Sequence, residues 1–149
     1  MLVLILRKTY KGVHSAQVGF PGGKLETNET LKDAAIRETF EEVGVEVKQE
    51  DVIKSMTPIY IPPSNFYVHP FLGIVKHTPS FIKQDEEVEA IIQVKLSHFL
   101  DESIIKTKSV TTSYKVNVSV PAYKLNDHIV WGATAMMLSE LKDLLKQVL

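Results

Sequence analysis

Glu38, Glu41 and Glu42 crowd together downstream of two adjacent glycines in the stretch GFPGGKLETNETLKDAAIRETFEEVGV, residues 19–45. Like charges at i and i+4 weaken a helix, so the crowding brings no structural gain of its own. At about 100° per residue the three carboxylates occupy one arc of about 100°. Leu31, Ala34 and Ala35 lie beside that arc. The bland reading is a solvated acidic face. However, carboxylates next to apolar and small side chains repel one another and lose hydration unless something positive sits among them. A hard divalent cation with oxygen ligands relieves both penalties. Gly22 and Gly23 can turn sharply and offer a carbonyl or an amide with no side chain in the way.

These residues need a helix to carry them, and the pattern predicts one from about Thr30 to Val43. Gly44 follows as a residue that can take the left-handed conformation after the last turn. Ile36, Phe40 and Val43 form the stripe expected to pack on a sheet. Before the helix, Leu2–Leu6 reads as a buried strand, followed by a polar loop to Gln17 and a short strand and turn in VGFPGG. After it, VEVKQ, IKSMTPIYI, FYVHPFLGIVK and AIIQVKL read as strands, with Pro62 and Pro63 breaking the run. SHFLDE is a short connecting segment, and TSYKVNVSVPAYKL alternates like a hairpin. In TAMMLSELKDLLKQVL, Met137, Leu141, Leu144, Leu145 and Val148 recur at helical spacing, and the methionines there belong to the core. The whole is a mixed α/β arrangement, expected to form one domain over residues 1–149.

The 149 residues suffice for a full core, and 44% hydrophobic with 23% charged residues describe an ordinary globular chain. A formal charge of −1 leaves no electrostatic footprint for nucleic acid or an anionic membrane. Cysteine is absent, which excludes disulfides and thiolate metal sites and agrees with a reducing cytoplasm. The apolar start MLVLILRK is too short to span a bilayer, and its charges follow the apolar run instead of preceding it as in a signal peptide.

From Gly23 the chain reads five residues, Glu29, seven residues, then Arg37-Glu38-Thr39-Phe40-Glu41-Glu42-Val43-Gly44-Val45. This resembles the Nudix box, G-x5-E-x7-R-E-U-x-E-E-x-G-U, with Thr39 as the departure at an apolar position. The resemblance implies the Nudix fold, an α/β/α sandwich around a mixed sheet, and hydrolysis of a nucleoside diphosphate linked to another moiety. Carried over by position, Glu38, Glu41 and Glu42 would hold Mg²⁺ or Mn²⁺ with help from the Gly23 carbonyl. Glu29 would support the site, and Arg37 would orient the glutamates. Nudix enzymes often take a further carboxylate from outside the box, for which Glu87 stands in a suitable place, with Glu86 not separable from it.

The similarity continues upstream. LILRKTYKGVHSAQVGFPGG looks like the signature of coenzyme A pyrophosphatases within that family, matching at Arg7, His14, Gln17, Val18, Phe20, Pro21, Gly22 and Gly23. Lys8, Lys11, Gly12 and Ala16 depart, and Gly12 stands where the signature has an arginine suited to phosphate. Arg7, Lys8, Lys11 and His14 are the expected substrate-binding residues. The implied reaction cleaves the diphosphate of coenzyme A or its thioesters to 3′,5′-ADP and 4′-phosphopantetheine or its acyl form. Another Nudix substrate (NADH, ADP-ribose or a damaged nucleotide) is the alternative enzyme reading, and a non-catalytic Nudix-fold binding module is the alternative of a different class. A small-molecule substrate in the cytoplasm is expected, with no nucleic-acid or membrane partner, and a homodimer is left open.

Overall fold

The computed structural model describes residues 1–8, 17–62, 65–110 and 118–149. They divide into two compact units, one of residues 4–91 and one of residues 1–3 with 92–149.

The unit of residues 4–91 carries the glycine turn and the acidic helix. Strand β1 (Leu2–Arg7) lies between β2 (Val18–Gly19) and β7 (Val88–Val94) in a three-stranded sheet. β2 runs antiparallel to β1, with Ile5 opposite Gly19 and Leu6 opposite Val18. Helix α1 (Leu31–Val43) starts at Thr30, whose side chain accepts from the Asp33 amide, while the Asp33 carboxylate accepts from the Thr30 amide. This reciprocal box satisfies two donors that a helix start leaves orphaned. The helix stops at Gly44, in the left-handed conformation at φ 74°, with its amide on the Phe40 carbonyl. Ile5, Val43, Val45 and Val88 form a buried cluster on which Val47, Val75, Phe81 and Ile91 pack. Two small antiparallel pairs complete the unit: β3 (Val52–Ser55) with β6 (Phe71–Gly73), and β4 (Ile59–Ile61) with β5 (Phe66–Val68).

Three sequence expectations are corrected in this unit. VEVKQ forms no strand: Val45 is buried through irregular backbone, and Gln49 opens a single 3-10 turn. The apolar alternation there serves the cluster without a strand partner. IKSMTPIYI and FYVHPFLGIVK each divide in two, at 56–58 and at His69-Pro70. Phe40 does not pack on a sheet but is 57% exposed, whereas Glu42 is fully buried beside Val43. The helix therefore turns an acid inward and a phenyl ring outward.

In the other unit, β8 (Ile105–Val110), β9 (Val118–Leu125) and β10 (His128–Trp131) form an antiparallel sheet with β9 in the middle. Of TSYKVNVSVPAYKL, residues 118–125 form β9, which pairs with β8, and the first half of the expected hairpin lies in residues 111–117, outside the described ones. Asn126 and Asp127, at φ 46° and 66°, make the two-residue turn into β10, the left-handed pair that matches strand twist. α2 (Leu96–Phe99) is one short turn, and α3 (Gly132–Val148) buries Ala135, Leu138 and Leu141. Val148, expected in the apolar stripe, is exposed where the helix ends, and Met136, expected in the core, is exposed as well. Tyr123 and Ser139 share a hydrogen bond of 2.6 Å that ties α3 to β9. Trp131 carries the Lys108 ammonium 5.5 Å above its ring.

Candidate active site

The centre of the acidic helix is organised by two arginines. Arg37 forks onto Glu29, its Nε 2.7 Å from Oε2 and its Nη2 3.1 Å from Oε1. The Nη1 of the same guanidinium donates to Glu38 at 2.8 Å and to Glu41 at 3.2 Å, and Nη2 also donates to the Lys24 carbonyl at 3.0 Å. One cation thus spans the loop glutamate, two helix glutamates and the backbone just after the glycine turn. Planar, multidentate donors make arginine suited to this, where lysine would be a point charge. Glu29 is held below the ordinary carboxylate range by the Arg37 hydrogen bond first, and Arg37 is raised in turn by Glu29 and Glu38.

Arg7, at the end of β1, serves Glu42. Its Nη1 lies 3.1 Å from Oε2, and its Nη2 donates to the Phe20 carbonyl at 3.1 Å. The Gly22 amide donates to the other Glu42 oxygen at 2.7 Å. Burial nevertheless pushes the Glu42 carboxyl up from its ordinary value, against the Gly22 hydrogen bond and the Arg7 charge that favour ionisation.

Gly23 is set by contact. A Cβ built on it would fall 2.5 Å from the Glu38 carboxyl carbon, so any side chain there displaces that carboxylate. Only a glycine lets the turn lie against Glu38.

The third side comes from the segment after Phe81. The Ile82 amide donates to the Val43 carbonyl at 2.9 Å, and the Gln84 amide to the Glu42 carbonyl at 3.2 Å. Carbonyls at the C-terminal end of α1, orphaned by helix geometry, are satisfied in this way. The Glu87 carbonyl then accepts from the Lys8 amide at 3.0 Å, placing residue 87 beside the end of β1. Carboxylate oxygens of Glu38, Glu42 and Glu87 consequently lie within 4.8 Å of one another. Three hard oxygen donors in that span suit a divalent cation of the Mg²⁺ or Mn²⁺ type.

The structure thus brings together Glu38, Glu42 and Glu87 and leaves Glu41 out of that group, at the rim on Arg37. Glu86 is exposed and outside it. Of the residues expected to bind substrate, Arg7 faces Glu42, Lys8 contributes its amide to Glu87, and Lys11 and His14 lie outside the described residues, as does Gly12. Sequence reasoning offered an amide from the glycine turn without its acceptor, Glu42, and missed the pairing of Arg7 with Glu42. A cation closing an apolar strand is a signal for the second, because a buried acid needs such a partner.

The NUDIX domain family matches residues 2–111. The chain is 28% identical over 139 residues to a peroxisomal coenzyme A diphosphatase of Caenorhabditis elegans, covering 91% of this chain and 58% of that protein. It is 29% identical over 128 residues to a mitochondrial coenzyme A diphosphatase of Homo sapiens, covering 85% of this chain and 54% of that one. The chain therefore spans somewhat more than half the length of these relatives. Among solved structures, a MutT/nudix family protein from Enterococcus faecalis superposes with a TM-score of 0.63 at 17% identity, over 97% of this chain and 54% of its own, which shows the fold. The box residues, their arrangement around the glycine turn and the family match together make this chain a member of the NUDIX family.

Proposed function

We infer that this chain is a divalent-cation-dependent diphosphatase whose substrate is coenzyme A or one of its thioesters. The observation that carries the reading is the approach of the Glu38, Glu42 and Glu87 carboxylates to within 4.8 Å, with one of them fully buried. Glu38, Glu42 and Glu87 would hold Mg²⁺ or Mn²⁺, with Glu41 and the Gly23 carbonyl as further donors. When bound, the cation neutralises diphosphate charge and lowers the pKa of a water. The chain's own residues do the rest. Arg37 keeps Glu38 and Glu41 oriented, and Arg7 with the Gly22 amide fixes both oxygens of Glu42. Glu87, whose carboxylate has no hydrogen bond within the described residues, is the group suited to accept the proton of the attacking water.

Coenzyme A as substrate is supported by the signature upstream of the box and by the two relatives described as coenzyme A diphosphatases. Lys8, Lys11 and His14 are proposed to meet the ribose 3′-phosphate, with Arg7 acting through Glu42. The proposal takes residues 1–149 as one functional domain in the cytoplasm, with a small-molecule substrate and no nucleic-acid or membrane partner. Cell fractionation tests the location, since the two relatives are described as peroxisomal and mitochondrial. Light scattering decides between monomer and homodimer.

The direct test offers coenzyme A, dephospho-coenzyme A, NADH and ADP-ribose with Mg²⁺ or Mn²⁺ and identifies products. Release of 3′,5′-ADP from coenzyme A, abolished by chelator and cut by orders of magnitude in Glu38→Gln and Glu42→Gln, is the expected result. Equal efficiency on all four compounds points to a general Nudix diphosphatase, and activity in chelator defeats the metal reading.

A further inference from the structure

The hairpin of β4 and β5 exposes three aromatic rings. Tyr60 stands opposite Tyr67 and Ile61 opposite Phe66, so strand alternation puts the two tyrosines on one face and Phe66 on the other. Phe66 shares its face with the buried Ile59, yet is itself 42% exposed. The Lys24 ammonium lies 5.0 Å from the Phe66 ring centroid. Lys24 directly follows Gly23, and its carbonyl is held by Arg37, the same guanidinium that holds Glu38. A half-open phenyl ring is thereby linked, through one lysine, to the turn that lies against the proposed metal site.

The geometry points to Phe66 as the stacking platform for the purine base of the substrate's nucleotide half, with Lys24 moving from the ring onto the adjacent phosphate. An exposed cation–π contact is weaker than a charge-assisted hydrogen bond to phosphate, so the exchange is downhill and uncovers the ring. A flat ring next to a cation matches a nucleotide, in which a flat base and a phosphate are separated by one ribose. A flexible amide arm such as pantetheine offers no flat face and would gain as much from any apolar side chain. The assignment rests on the diphosphatase reading for its place in catalysis, while base binding is measurable without turnover.

The test titrates AMP and 4′-phosphopantetheine into the Mg²⁺-loaded protein, with coenzyme A turnover alongside. Phe66→Leu should weaken AMP roughly tenfold to a hundredfold, the loss expected for one stacked base. 4′-Phosphopantetheine should be unaffected, and Phe66→Tyr should restore AMP binding. In turnover, Phe66→Leu should raise KM for coenzyme A by more than it lowers kcat. Tyr67→Leu, at a ring 68% exposed on the opposite face, should leave AMP binding as it is. Absence of AMP binding by the parent at millimolar concentration overturns the proposal. So does equal AMP affinity in parent and Phe66→Leu, a loss confined to 4′-phosphopantetheine, or an AMP loss in Tyr67→Leu instead. If the parent hydrolyses none of the dinucleotides while AMP binding follows the expected pattern, the diphosphatase reading fails and the platform stands.

Discussion

Arg7 Nη1 lies 3.1 Å from Glu42 Oε2 and pairs the end of the first strand with a carboxylate that solvent does not reach. Removing one member of such a pair leaves a buried charge uncompensated. Arg7→Leu should therefore destabilise the metal-free protein by about 2–4 kcal/mol. Urea unfolding with and without Mn²⁺ checks this, and added cation should recover part of the loss by supplying charge at Glu42. An unchanged midpoint would show that Glu42 does not depend on this partner.

Gly23→Ala should fold and yet lose function. The turn does not require a left-handed residue at position 23, but the new methyl would meet the Glu38 carboxyl at 2.5 Å. The flexible end of Glu38 yields, at the expense of its bond to Arg37. Mn²⁺ affinity should fall roughly tenfold to a hundredfold, as when the support of a metal ligand is disturbed. Calorimetric Mn²⁺ titration is the readout, and wild-type affinity would contradict the steric account.

Glu87→Gln and Glu86→Gln differ by one position and should differ widely in effect. Only Glu87 joins the cluster with Glu38 and Glu42. Turnover should drop by two orders of magnitude or more in the first, roughly the scale of general-base catalysis, and by less than threefold in the second. Comparable rates in the two variants would remove Glu87 from the site.

The helix start gives a pH-dependent contribution. Asp33 is held below its ordinary value of 3.8 by hydrogen bonds from Thr30 and then Gln49. A carboxylate with a depressed folded-state pKa stabilises fully above its unfolded value and loses that contribution as pH falls through the folded one. Asp33→Asn should melt below the parent at pH 7, with the gap closing as pH drops below about 3.8. A gap constant from pH 7 to pH 2.5 would mean the charge on Asp33 plays no part.

The Thr30–Asp33 box went unread, and the acidic cluster takes Glu87 where Glu41 was expected. The helix and its C-terminal stop were legible because short-range chemistry sets them: Gly44 acts within a few residues of itself. The orientation of that helix was not. Of the expected stripe Ile36, Phe40 and Val43, Val43 is buried, but Arg7 and Gly22 hold Glu42 inward beside it and Phe40 faces water. These partners are 35 and 20 residues away from Glu42, beyond what periodicity detects. VEVKQ failed for a related reason: Val45 and Val47 find apolar neighbours but no strand to bond with. Glu87 was separable from Glu86 only once β1 and the segment after Phe81 had a place.

The hydrogen bonds from Ile82 and Gln84 to the end of α1, and from Lys8 to Glu87, run between peptide groups. Main-chain tethers are indifferent to side-chain identity, so the backbone of residue 87 should keep its position when the exposed Lys83–Asp85 pair and the Lys83 bond to the Glu89 carbonyl are lost. The exception is Gly44, where a Cβ would come 2.7 Å from that of Ile82 at a φ that already disfavours one. A randomised library over 83, 85 and 86 should yield mostly active clones, and one at position 44 almost none. This division lets selection reshape the rim of the site, and with it the choice of substrate, without disturbing the chemistry underneath.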